Sequence, residues 1–233
     1  MKCYGLLGYP LGHSFSKGYF ADRLDYRNFE YPEVVDFIAE KPATLAGFNV
    51  TIPHKQAIIP FLDSASPEAQ QIGAVNCVRI DSEGLMHGYN TDCMGFEASL
   101  LELIAENRPK ALVLGYGGAA RAVCYTLEKL GIEFKIVSRQ SELNYQTLTP
   151  QIIDEHHLII NTTPLGMYPK IDTAPQIDYE SLTKNHYLYD LVYNPAETLF
   201  LKKGRRQGAQ VANGLQMLKV QADRAYQIWT EEN

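Results

Sequence analysis

The stretch that most restricts the fold is KALVLGYGGAARAVCYTLEKLG, residues 110 to 131. Its apolar run, 110 to 117, reads as a buried strand that runs into glycines. From residue 119 apolar positions recur at helical spacing, and Gly131 closes the segment. Further short apolar strands are expected in EFKIVSR (133 to 139), HLIINTTP (157 to 164) and HYLYDLVY (186 to 193). PAETLFLKKGRRQG (195 to 208) reads as a helix, with proline at its start and basic residues near its end. Strand and helix alternate, which predicts an α/β fold: a parallel sheet with helices on both faces.

The first ninety or so residues follow a less regular pattern. KCYGLLGYP is expected as a strand ending in a turn, and Phe48 to Ile52 as another, broken at Pro53. GAVNCVRID and LMHGYNTD read as paired strands around the turn DSEG. Residues 93 to 109 read as a helix closed by Asn-Arg-Pro that links the two halves. The amphipathic stretch NGLQMLKVQADRAYQIW is expected to return to the first half, which makes the domains discontinuous.

With 233 residues and 45% apolar content the chain can build a sizeable core. A net charge of -6 without a basic stripe argues against nucleic acid or an anionic membrane as partner. No apolar run approaches the roughly 20 residues of a membrane span. Gly8, Pro10 and Gly12 interrupt any signal-peptide core, so the N-terminus reads as mature sequence. Cys3, Cys77, Cys93 and Cys124 form no CxxC pair, and the histidines have no ligand spacing. Reduced thiols in a cytoplasmic protein without a metal are expected.

Gly115, Gly117 and Ala120 fit G-x-G-x-x-A between strand and helix. Gly115 permits a tight turn, Gly117 lets a pyrophosphate approach the backbone, and Ala120 allows close helix–sheet packing. A structural turn also uses glycine, but the strand–turn–helix context favours a dinucleotide. The next strand ends in Ser138, Arg139 and Gln140, where an NAD site places a carboxylate. A cation with hydroxyl and amide neighbours suits a 2'-phosphate, hence NADP; the alternative is a solvated arginine.

The other half carries polar groups at the ends of apolar strands. Asn49, Thr51 and Lys55 surround the break at Pro53, Asn76 follows GAV, and Asn90, Thr91 and Asp92 end the hairpin. Ser14 and Ser16 alternate after a glycine-proline turn, where serine caps are the alternative reading. Uncharged donors with one lysine and one aspartate suit a small ring bearing several hydroxyls.

These blocks in order, GYPLGHSFS, NVTIPHK, GAVNCV, GYNTD, GYGGAARAV, NTTPLGM, DLVYNPAET and NGLQMLKVQ, resemble the shikimate/quinate dehydrogenase family nearly end to end. The resemblance implies an NADP-dependent oxidoreductase that reduces 3-dehydroshikimate to shikimate, with a homodimer as candidate assembly. It implies a substrate domain over 1–93, completed by 214–233, and a Rossmann-type NADP domain over 94–213. Lys55 and Asp92 would be the catalytic pair. Ser14, Ser16, Thr51, Asn76, Tyr193 and Gln221 would contact substrate, the serines and Tyr193 near its carboxylate. Gly115, Gly117, Gly118 and Ala119 would hold the cofactor phosphates, and Ser138 and Arg139 would meet the 2'-phosphate. Thr162, Met217 and Gly214 would line the dinucleotide site. The chain departs from the family in KGYFAD after Ser16, in a shortened segment between Ser16 and Asn49, and in Ser-Arg-Gln after the second cofactor strand. Quinate, an aminated shikimate analogue, and a non-catalytic cofactor-binding regulator are the rival readings.

Overall fold

The computed structural model describes residues 2–12 and 15–231. It forms two compact units, Met1–Thr91 with Gln221–Asn233, and Asp92–Val220.

The first unit contains β1 (Cys3–Gly8), α1 (Phe15–Phe20), β2 (Asp25–Glu30), α2 (Val34–Glu40), β3 (Leu45–Val50), β4 (Ser64–Ala65), α3 (Pro67–Ile72), β5 (Cys77–Ile80) and β6 (Met86–Tyr89). They form one mixed sheet in the order β2-β1-β3-β5-β6-β4. β1 lies parallel to β2 and β3, and β5 is antiparallel to β3 and β6. The expected hairpin turn at DSEG is held by the Asp81 carboxylate, which accepts from the Glu83 and Leu85 amides at 2.9 Å each. Side chains alternate across the sheet. Cys3, Leu7, Phe48, Val50 and Val78 pack with Phe37 on one face. Tyr4, Leu6, Tyr26 and Cys77 pack on the other with Ala222, Ala225 and Trp229.

Those last three residues belong to α8 (Leu215–Thr230) and recur at helical spacing. Their burial explains why the C-terminal segment belongs to the first unit. Trp229 Nε1 donates to the Val78 carbonyl at 2.9 Å. Gly47 makes room for the indole: a Cβ there would lie 2.4 Å from Trp229 Cδ1.

The second unit begins in α4 (Thr91–Ile104) and continues through β7 (Ala111–Leu114), α5 (Gly118–Lys129), β8 (Phe134–Val137), α6 (Pro150–Glu155), β9 (Leu158–Asn161), β10 (Tyr187–Asp190), α7 (Leu199–Arg206) and β11 (Gln210–Asn213). The five strands are all parallel, in the order β11-β10-β9-β7-β8. Ala111 and Val113 face Phe96 and Leu100 of α4 and Val123 and Leu127 of α5. Leu112 and Leu114 face Ile153 of α6 and Phe200 and Leu201 of α7. Helices therefore cover both faces, as all-parallel strands require.

Expected boundaries move, as three cases show. β3 ends at Val50, and Ile52 is 75% exposed rather than buried in a strand. The 195–208 helix starts only at Leu199, because the Thr198 hydroxyl caps it by accepting from the Leu201 amide. α4 ends at Ile104, where Ala105 takes a positive φ of 50°, so Asn107 to Pro109 lie beyond the helix.

Candidate active site

In the first unit, parallel strands β1 and β3 end together, and the chain after β3 makes a tight turn that carries Lys55. The Thr51 amide still donates to the Leu7 carbonyl at 2.8 Å, then the chain leaves the sheet. The His54 amide donates to the Thr51 carbonyl at 2.9 Å, and the Ile58 amide to the His54 carbonyl at 3.0 Å. The buried His54 ring bonds through Nε2 to the Tyr31 carbonyl at 2.7 Å. The Lys55 carbonyl accepts from the Val75 amide at 2.8 Å, which ties the turn to the GAVN segment. Lys55 itself is partly exposed.

Buried amides and hydroxyls line the same strand ends. The Val50 amide donates to the Asn76 carbonyl at 2.9 Å, and Asn49 Nδ2 donates to that carbonyl at 3.2 Å. Asn76 Oδ1 accepts from the Thr91 amide at 2.6 Å, and Asn76 Nδ2 donates to Thr91 Oγ1 at 3.0 Å. Asn76 thus satisfies one of the unpaired amides that open α4. Thr91 Oγ1 donates in turn to Gln221 Oε1 at 3.3 Å. Asn76, Thr91 and Gln221 are therefore brought together, with Asn49 and the Lys55 turn bonded to Asn76 and its neighbour Val75. Asp92 follows Thr91 directly, in the first turn of α4, where the helix dipole favours a carboxylate.

Sequence reading passed over Tyr26. Its hydroxyl donates to Asn49 Oδ1 at 2.9 Å, which fixes the orientation of that amide. Burial pushes the Tyr26 phenol far up, so it stays a donor, and Ser16 hydrogen-bonds to it. No pattern in DYRNFE marks this tyrosine as more than an edge-strand aromatic. Ser14 lies outside the described residues.

In the second unit the glycine turn joins β7 to α5. Gly115 has a φ of 99°, and a Cβ there would lie 2.8 Å from Thr163 Cγ2 and 2.9 Å from Thr162 Oγ1. The fold itself demands this glycine. Gly117 and Gly118 differ: a Cβ at either would meet nothing within 4 Å. Gly117 is the residue before α5, and the helix start has no side-chain cap. Exposed amides at a helix start, without side chains in front of them, make a cradle for an anion. Ala119 lies in the first turn of α5, partly buried, and Ala120 is buried against the sheet.

The remaining positions separate into two kinds. Arg139 is exposed after β8, but the Ser138 hydroxyl is engaged in its own turn, 2.8 Å from Ser141 Oγ. Ser138 therefore shapes the loop that presents Arg139. Thr162 Oγ1 donates to the Leu114 carbonyl at 2.8 Å, beside Gly115. Tyr193 is 37% exposed. Gly214 is required by backbone, since a Cβ would lie 2.1 Å from the Leu191 carbonyl oxygen. Met217 is buried among Phe96, Val123 and Tyr189, so its thioether is a core group. The glycine turn, Thr162 and Arg139 gather at the ends of β7, β9 and β8, the edge of a parallel sheet where ligands bind.

Residues 6–78 match the family model described as the shikimate dehydrogenase substrate binding domain. A shikimate dehydrogenase (NADP(+)) of Caldanaerobacter subterraneus subsp. tengcongensis is 37% identical, across 99% of this chain and 92% of the relative. Shikimate dehydrogenase from Aquifex aeolicus superposes with a TM-score of 0.87 at 35% identity, over 99% of this chain and 92% of that one. Shikimate 5-dehydrogenase from Thermus thermophilus, solved in complex with NADP(H) and shikimate, gives 0.84 at 31%, over 99% and 94%. Likeness of that extent covers the Lys55 turn, the amide cluster and the glycine cradle alike, and the chain belongs to the shikimate dehydrogenase family.

Proposed function

We propose that the chain catalyses the reversible, NADP-dependent reduction of 3-dehydroshikimate to shikimate. The observation that carries this reading is the buried cluster of Asn49, Asn76, Thr91 and Gln221, clasped to the turn that bears Lys55. A neutral ring with several hydroxyls needs such uncharged donors and acceptors, and a purely structural strand end does not. Gly117, Gly118 and the uncapped start of α5 fit a pyrophosphate, and Arg139 fits a 2'-phosphate.

NADP, when bound, supplies or accepts the hydride at the ring carbon. The oxygen on that carbon must gain or lose a proton in step. In the reducing direction the Lys55 ammonium donates that proton and stabilises the developing negative charge; in the oxidising direction its neutral amine accepts it. Asp92 orients Lys55 and the reacting oxygen. Ser14, Ser16 and Tyr193 hold the carboxylate, and Thr51, Asn76 and Gln221 hold the hydroxyls. The four cysteines are buried thiols outside any disulfide, which supports a reducing compartment, hence the cytoplasm.

Shikimate turnover with NADP, measured for the native chain and for Lys55→Ala, tests the reading. The native chain turns over, and the variant loses several orders of magnitude in kcat with shikimate binding changed far less. A variant with native kcat removes Lys55 from the mechanism.

A further inference from the structure

Asp190 ends β10 and is fully buried. A carboxylate in such a place needs partners, and it has three. Oδ1 accepts from Asn161 Nδ2 at 2.9 Å and from the Val192 amide at 3.0 Å. Oδ2 accepts from the Thr198 hydroxyl at 2.5 Å.

Each partner leads to a different segment around the cofactor-side strand ends. Asn161 turns its own Oδ1 to the Thr163 amide at 3.0 Å and the Thr163 hydroxyl at 2.6 Å, fixing the chain on either side of Thr162. Val192 precedes Tyr193, and its carbonyl accepts from the Gly214 amide at 3.3 Å. Thr198 accepts from the Leu201 amide and so caps α7. One side chain thereby fastens the loops after β9 and β10, and through Val192 the start of α8.

The charge itself is costly. Burial raises the Asp190 carboxyl from 3.8 to about 6, despite the bonds from Thr198, Val192 and Asn161 that pull it down. A neutral group of the same shape would fill the space without that cost. Stability alone therefore does not account for an aspartate here.

We propose that Asp190 is a positioning residue for cofactor binding, holding Thr162, the segment before Tyr193 and Gly214 in one arrangement through Asn161, Val192 and Thr198. The inference rests on reading Asp92–Val220 as the NADP-binding unit.

Asp190→Asn in the full chain tests it, with NADP affinity by calorimetry, steady-state kinetics with shikimate, and unfolding in urea. The expected result is a loss of NADP affinity on the order of tenfold, the size of one charge-assisted hydrogen bond. Shikimate KM at saturating NADP rises through Val192 and Tyr193 by less than NADP affinity falls, and the urea midpoint is unchanged or higher. A merely structural aspartate would instead lower the midpoint and weaken both ligands together. NADP affinity within about twofold of native, in folded protein, overturns the proposal. Should the Asn variant not fold, Thr198→Val and Thr198→Ser decide: the valine loses NADP affinity and the serine restores it. Equal NADP affinity in both overturns the proposal. If the native chain itself binds no NADP, the functional reading fails, and not this inference alone.

Discussion

Gly117→Ala separates a glycine kept for a ligand from one kept for the fold. Gly117 has φ -98° and ψ -168°, extended backbone open to any residue, and a new methyl meets nothing within 4 Å. Alanine restricts the unfolded state but caps a helix start less well than glycine, so stability should stay within about 1 kcal/mol of native. The same methyl would stand between the α5 amides and a pyrophosphate. Losing one or two charge-assisted hydrogen bonds at about 1.5–3 kcal/mol each lowers NADP affinity by a factor of at least about ten. Gly115→Ala reverses the pattern. It forces alanine to φ 99° and drives a methyl within 3 Å of Thr162 and Thr163. Strain and overpacking together should cost about 2–5 kcal/mol of stability. Urea unfolding with calorimetric NADP titration reads both variants. Native NADP affinity in Gly117→Ala would refute the cradle, and a large stability loss there would refute the open space.

Arg139→Ala should raise the KM for NADP on the order of tenfold or more and leave that for NAD unchanged, as initial rates with each cofactor would reveal. Asp190 has a folded pKa of about 6 against 3.8, so the stability it contributes is full below 3.8 and lost as pH rises through 6. That loss is about 3 kcal/mol, and Asp190→Asn should abolish it. Buried His156 and His186 are pushed below 6.5 and act in the opposite sense, since stability they contribute is lost as pH falls. The check is therefore the native-minus-variant difference in urea stability between pH 4 and 7. Gly47→Ala should destabilise the first unit by about 1–3 kcal/mol by displacing Trp229, read as a lower urea midpoint by tryptophan fluorescence.

The regular half was legible because two periods coincide there. ALVL is a period-free apolar run, since β7 is buried on both faces, and the residues after Gly117 switch at once to helical spacing. The return of α8 was legible in its amphipathic pattern, while its docking partner was not, because Gly47 gives no hint of an indole above it. β2 escaped notice because its buried residues, Tyr26 and Phe29, are three apart and its other positions are charged or polar, as suits an edge strand. Ile52 misled for the opposite reason: an apolar residue after a buried strand stands in solvent. At the site, residue types announced the glycine turn and the polar strand ends. Asp190 was hidden inside the apolar run YLYDLVY, and only three-dimensional neighbours from β9 and α7 reveal what holds its charge.

The most direct test of the account is the initial rate of nicotinamide reduction by the purified native chain, followed by absorbance. Shikimate and quinate are each offered with NADP and with NAD. Fast reduction of NADP by shikimate, with slow or absent rates in the other three combinations, is the expected result. Folded protein that binds NADP and yet reduces it with neither substrate would contradict the account.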